Sequence, residues 1–229
     1  MKKKIRNTTN KSIILLSGGL DSLVCMGLCR NTHNIELALT FDYGQKSAAK
    51  EIEAAKKICD YYNVEHKVIK LDWLKEITNT ALVADKELPV GVDNPESSAK
   101  AVWVPNRNGL FLNIAASFAD CGNFSYIIIG ANKEEAKTFP DNTQIFADRV
   151  TSEFEYSTLV KPSVLVPLIN SDKNDIVSVA LKLSMPLELV QSCYDSQKGH
   201  CGVCESCTRL KNALKNNGDT HYLKLLFNE

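Results

Sequence analysis

The segment Ser12-Ile13-Ile14-Leu15-Leu16 is apolar at every position after the first and stops abruptly at Ser17-Gly18-Gly19. A strand buried on both faces needs such an unbroken run, so a central strand of a parallel sheet is predicted there. From Asp21 the spacing turns helical, with Leu23, Val24, Met26, Leu28 and Cys29 apolar up to Arg30-Asn31. The pattern then repeats. Residues 35–41 read as a second strand, 45–62 as a helix with Ile52, Ala55, Ile58 and Cys59 on one face, and 64–71 as a third strand. Residues 108–120 form an apolar helix, 126–129 a fourth strand closed by Gly130, 142–156 a helix, 164–166 a short fifth strand, and 173–183 a helix stopped near Pro186. The pattern lapses between Thr78 and Asn106, which includes Pro89, Gly91, Pro95 and Pro105. So long a connection inside a compact domain is a lid or binding loop, or is disordered.

Strand–helix alternation predicts an α/β fold, a doubly wound parallel sheet of about five strands covered on both faces. Residues 1–185 are expected to form this domain. Residues 186–229 are expected to form a small cysteine-rich tail held by metal rather than by a core. No internal repeat or low-complexity segment interrupts this division.

Charge and length narrow the function. Lys+Arg and Asp+Glu are both 27 among the 229 residues, so the net charge is zero. That disfavours a protein living on duplex nucleic acid, which carries a basic excess. No apolar run approaches the roughly 18 residues of a membrane helix. The start is basic (Lys2, Lys3, Lys4, Arg6, Lys11), but the apolar stretch after it ends at Leu16, too short for a signal-peptide core. A cytoplasmic protein is expected, with no membrane partner and no direct nucleic-acid partner.

Two local clusters carry chemistry. Cys193, Cys201, Cys204 and Cys207 crowd into fifteen residues, whereas Cys25, Cys29, Cys59 and Cys121 are scattered among apolar neighbours as small buried hydrophobes. In a reducing compartment, two C-x2-C steps point to metal rather than disulfides. Four thiolates match a closed structural zinc site, one Zn2+ per chain, with Gly199 and Gly202 supplying the turns. His200 is a competing ligand, and an iron–sulfur cluster is the rival metal. At the other end, Ser17-Gly18-Gly19-Leu20-Asp21-Ser22 joins the first strand to the first helix, where α/β sheets bind anions on free helix amides. It is neither the dinucleotide fingerprint nor the Walker loop. Asp21 stands where a divalent cation such as Mg2+ would bridge a carboxylate and a phosphate.

This hexapeptide resembles the pyrophosphate loop of the N-type ATP pyrophosphatases, the PP-loop superfamily, whose sheet is of the adenine nucleotide alpha hydrolase type. Together with the cysteine tail, the chain resembles the QueC family across essentially its whole length. The intermediate matches are Phe41-Asp42-Tyr43-Gly44-Gln45, Val104-Pro105-Asn106-Arg107-Asn108, Pro167-Leu168 with Lys173, and Ser192-Cys193-Tyr194. The resemblance implies an ATP-dependent ligase that converts 7-carboxy-7-deazaguanine and ammonia to 7-cyano-7-deazaguanine, for queuosine or archaeosine. It implies ATP and Mg2+ on the segment Leu16, Ser17, Gly18, Gly19, Leu20, Asp21, Ser22, Leu23, Val24, Cys25 and Met26, with Phe41 and Tyr43 beside the nucleotide. Cys25 within that segment also reads as packing. Asp21, Arg107, Glu135 and Asp141 are the expected catalytic residues. Arg107 neutralises a carboxylate or phosphate, and Asp42, Glu135 and Asp141 face a guanine-like edge. Lys173 on its spacing alone is a solvated helix lysine, and only the resemblance draws it toward the site.

The chain departs from the family at Ser47, where a histidine is common, at Phe139-Pro140-Asp141-Asn142-Thr143, at Glu134-Glu135, and at Val166 before Pro167. A divergent branch with the same activity accounts for these changes. The alternatives are a PP-loop enzyme acting on tRNA, a QueC-like enzyme conjugating a deazaguanine to a protein, and a nucleotide-binding or zinc-ribbon module without turnover. A homodimer through helix faces in 108–120 or 219–227 is also expected.

Overall fold

A computed structural model describes residues 11–84, 101–194 and 199–227. Of the long connection, Pro89, Gly91 and Pro95 lie outside the described residues, as do Lys2, Lys3, Lys4 and Arg6 at the start. Five strands form one sheet: β1 Lys11–Leu15, β2 Asn34–Asp42, β3 Glu65–Lys70, β4 Tyr126–Ile128 and β5 Ser163–Leu165. Their order is β3-β2-β1-β4-β5 and every pair is parallel. The helices are α1 Leu20–Cys29, α2 Ala48–Tyr62, α3 Asp72–Ile77, α4 Arg107–Gly122, α5 Gln144–Ser157, α6 Lys173–Lys182, α7 Glu205–Asn216 and α8 Thr220–Phe227. No described helix is long and apolar enough to cross a membrane.

The unbroken apolar run of β1 has a direct structural cause. Ile13 and Leu15 face one buried cluster, with Leu39, Phe41, Ile127, Phe111 and Leu112, beneath α4 and α5. Ile14 and Leu16 face the other, with Leu23, Met26, Ile58, Ile176 and Val177, beneath α1, α2 and α6. A strand between two helical layers has no solvent face, so period-two alternation disappears. The doubly wound parallel sheet expected from the pattern is the one found.

Two features went beyond the pattern. The six residues of α3 are too few for a helical period to register, and Leu74, 1% exposed, seats the turn in the core. The tail has core contacts of its own: Leu210, Ala213 and Leu214 of α7 and Leu223 of α8 join the same cluster as α1 and α6.

This topology prepares a site. The chain runs from β1 outward through β2 and β3, then returns to the other side of β1 for β4 and β5. Loops leaving β1 and β4 therefore diverge and open a crevice at their carboxyl ends. Gly130, just past β4, fits there because it has no side chain; a Cβ would stand 3.2 Å from the Ser22 amide nitrogen.

Candidate active site

β1 passes into a tight turn. Gly18 adopts φ +79°, and a Cβ on it would stand 2.7 Å from the Glu51 carbonyl oxygen and 2.9 Å from Ala54 Cβ. Its own carbonyl accepts the Gln191 amide at 2.8 Å, so the turn is fastened to the segment that leads into the cysteines. Gly18→Ala combines a left-handed backbone with overpacking, and is expected to cost about 2 kcal/mol or more. For a chain of this size that lowers the melting midpoint by roughly 5 °C or more. A midpoint within a degree of the parent in thermal unfolding would show that the turn is not so constrained.

Gly19 then caps α1, whose first amides have no helical acceptor. Ser17 Oγ accepts the Gly19 amide at 3.3 Å and lies 3.3 Å from Ser22 Oγ, which donates to the Gly19 carbonyl at 3.0 Å. Free amides, two hydroxyls and the positive end of a helix together form an anion receptor.

The turn opens into a cavity of about 300 Å³. Leu16, Ser17, Gly19, Leu20, Asp21 and Ser22 line it, together with Phe41, Tyr43, Arg107, Glu135 and Asp141. Gly18 lies buried behind the turn instead. Leu23, Val24, Cys25 and Met26 are not brought to the cavity: each is 0% exposed in the core beneath α1. Only the first turn of a helix can present its backbone to a ligand at its end, so the expected segment runs one turn too far. Asp42 is also displaced from its expected role; its carboxylate accepts the Gly44 amide at 3.1 Å and holds the turn after β2.

Asp21 lies at the centre of the polar contacts. Its Oδ2 accepts Lys173 Nζ at 2.5 Å and Asn132 Nδ2 at 3.0 Å, while its buried Oδ1 has no hydrogen-bond partner among the described residues. Lys173 also lies 3.8 Å from Glu135. Burial works to lower the Lys173 ammonium, but Asp21 and Glu135 outweigh it and hold the group above its ordinary value. Burial raises the Glu135 carboxyl, with Lys173 opposing.

Across the cavity, Arg107 opens α4 and donates to Tyr43 Oη at 3.4 Å. Burial raises Asp141 against the pull of Arg107, and Asn142 donates to its carboxylate at 3.0 Å. The walls here include two stacked aromatic pairs, Phe41 on Phe111 at 3.9 Å between centroids and Trp103 on Phe139 at 5.8 Å.

Sequence reasoning missed several lining residues. Glu51, on a helix whose apolar face is marked by Ile52, Ala55, Ile58 and Cys59, lines the cavity, held by Ser47 Oγ at 2.6 Å and Gln45 Nε2 at 2.9 Å. Gln45 in turn ties to the Phe41 carbonyl and the Tyr43 amide, both at 3.0 Å. Ser47, the residue that replaces the family's common histidine, is therefore a hydroxyl donor to a buried carboxylate. Glu134, Glu205 and Arg209 line the cavity as well, and Asn132, fully buried behind the lining, holds Asp21. The Ser47–Glu51 spacing, four residues apart on one helix face, was the one available signal.

The four sulfurs of Cys193, Cys201, Cys204 and Cys207 all lie within 4.8 Å of one another. Backbone amides of Cys201 and Cys204 donate to the sulfurs of Cys193 and Cys201 at 3.4 and 3.3 Å. Gly199 and Gly202, both at φ +75°, turn the chain around them. An all-sulfur donor set this compact is compatible with a metal site. His200 stands outside it, since its Nε2 accepts the Ser192 amide at 3.2 Å. The cluster joins two walls of the cavity: Gln191, Ser192 and Tyr194 lead into it, and Glu205, Ser206 and Arg209 follow it on α7.

A family model described as "Queuosine biosynthesis protein QueC" matches residues 11–218. The chain is 48% identical over 219 residues to the 7-cyano-7-deazaguanine synthase of Methanosarcina barkeri, covering 91% of this chain and 95% of that protein. It is 49% identical over 209 residues to the synthase of Carboxydothermus hydrogenoformans, covering 89% and 97%. The synthase of Methanobrevibacter smithii is 40% identical over 215 residues, covering 90% and 94%.

Proposed function

The chain belongs to the QueC family, and from that premise we propose that it is a 7-cyano-7-deazaguanine synthase. It converts 7-carboxy-7-deazaguanine and ammonia to the nitrile, driven by ATP, in the biosynthesis of queuosine or archaeosine. The observation that carries this is the opening of the Ser17–Ser22 turn into the same cavity as Arg107, Glu135 and Asp141.

The chemistry requires activation. A carboxylate would have to expel oxide to accept ammonia, so its oxygen first attacks the α-phosphorus of ATP and pyrophosphate leaves. Ammonia displaces AMP from the acyl adenylate and, with loss of a proton, gives the amide. A second adenylation on the amide oxygen, followed by loss of AMP and protons, leaves the nitrile. No covalent protein intermediate is needed, so the residues position the reactants and offset charge.

Ser17, Gly19, Ser22 and the first amides of α1 receive the pyrophosphate end of the nucleotide. The buried, unpartnered Oδ1 of Asp21 suits a magnesium ion accompanying ATP, which when bound would neutralise phosphate charge. Phe41 and Tyr43 offer the adenine an apolar wall. Arg107 faces the substrate carboxylate or the α-phosphate, and its fork suits either. Asp141 and Glu135 accept from the donor edge of the base. Cys193, Cys201, Cys204 and Cys207 would hold one Zn2+, whose four thiolates leave no position open for chemistry, so its contribution is to brace the wall.

The test measures pyrophosphate release and the mass of the product. Release is expected to require both ATP and 7-carboxy-7-deazaguanine, with ammonia needed for sustained turnover and for a product of nitrile mass. ATP binding without acceptor-dependent release, or label ending on a protein or tRNA, would overturn the proposal.

A further inference from the structure

We infer that Arg209 is a positioning residue for the nucleotide end of the cavity, acting through Glu134 to keep Lys173 on Asp21. This rests on the function proposed above. α7 starts at the cysteine cluster, with Cys204 as its cap and Cys207 in its first turn. Arg209 follows, its side chain only 25% exposed and both arms of its fork engaged. Nη1 meets Glu134 Oε2 at 2.8 Å and Nη2 meets Glu205 Oε1 at 2.5 Å. The other oxygen of Glu134 accepts the backbone amide of Lys173, the first residue of α6, at 3.0 Å. Asn132 completes the link: its Oδ1 accepts the Glu134 and Glu135 amides, both at 3.0 Å, and its Nδ2 reaches Asp21.

The charges determine what this arrangement does. Asp21, Glu134, Glu135 and Glu205 share two cations, Lys173 and Arg209. Arg209 bridges Glu134 and Glu205, one arm of its planar fork to each carboxylate, a geometry that a lysine ammonium does not offer. Without Arg209, Glu205 loses its arginine contact and Asp21, Glu134 and Glu135 compete for a single ammonium group, with Glu134 already touching the backbone of the residue that carries it. Lys173 is then drawn away from Asp21, and the disturbance falls beside the Ser17–Ser22 turn rather than beside Arg107 and Asp141. An arginine that merely tied α7 down would have no such directional effect.

The experiment uses the full chain with its metal, and first checks metal content, melting and acceptor-dependent turnover of the parent protein. Failure of that parent turnover would defeat the proposed function alone. The inference is tested separately, by affinity for a non-hydrolysable ATP analogue. Arg209→Ala is expected to keep its metal, to weaken the analogue at least tenfold, and to lower turnover on the order of 10²-fold. KM for the acceptor stays within about twofold. Glu134→Gln placed in the Arg209→Ala background is expected to restore part of both losses, because it removes the unpaired carboxylate that competes for Lys173. Unchanged analogue affinity in Arg209→Ala, a further loss in the double variant, or a change confined to acceptor KM would each overturn the inference. Should Arg209→Ala fail to fold, Arg209→Lys serves in its place, with a smaller loss of analogue affinity and the same direction of rescue.

Discussion

Asp21→Asn is expected to lower acceptor-dependent pyrophosphate release by about 10²- to 10³-fold, with the fold intact. The carboxylate has two duties that the amide cannot perform. It is the close counter-ion of Lys173, at 2.5 Å, and its free Oδ1 is the oxygen available to a cation arriving with ATP. Removing the charge leaves Lys173 with Glu135, now 3.8 Å away, as its nearest carboxylate, so the ammonium moves toward it. Losing one electrostatic element that faces developing charge typically costs about 3–4 kcal/mol in the transition state. The substitution is nearly isosteric and the side chain is partly open to the cavity, so the effect on melting is small by comparison. The check is turnover at saturating ATP and acceptor, beside thermal unfolding. Turnover within tenfold of the parent would remove Asp21 from the site.

Removal of the metal that the four cysteines are proposed to hold is expected to have the second large effect, and to harm activity more than folding. Cys207→Ser, or treatment with a strong chelator under reducing conditions, should empty the cluster and lower the melting midpoint by about 10 °C or more. The tail does not unravel completely, because Leu210, Ala213 and Leu214 still anchor α7 in the main core. Turnover nonetheless falls to background, because the cluster sets the spacing between the 191–194 wall and the face of α7 that carries Glu205 and Arg209. Metal analysis, calorimetry and pyrophosphate release on one preparation decide it. A metal-free protein with unchanged melting and turnover would reduce the cluster to four packed thiols.

What could be read from the chain follows the range of the interactions involved. The first strand, the glycine turn and the helix after it are consecutive, so unbroken burial, a turn sequence and helical spacing occur side by side in one stretch. The cysteine cluster is legible for the same reason: its spacing reflects a local wrap around one point. The reach of the nucleotide segment was overstated to Met26 because periodicity shows that α1 is buried, not whether it is buried by core or by ligand. α3 escaped because one and a half turns cannot establish a period.

Local pattern alone thus pointed to the parallel α/β sheet, the glycine turn after the first strand and the convergence of four sulfurs. The tertiary structure alone added Glu51, Glu134, Glu205 and Arg209 to the charged residues that line the cavity. Asp21 and Lys173 are 152 residues apart yet in contact, and Glu134 meets Arg209 across 75. In sequence, Lys173, Glu51 and Arg209 look like any solvated helix charge, because a charged side chain carries no mark of its surroundings. Only the crossing of the chain at the β1–β4 crevice, which brings α6, α7 and the loop after β4 together, takes these groups out of water and pairs them.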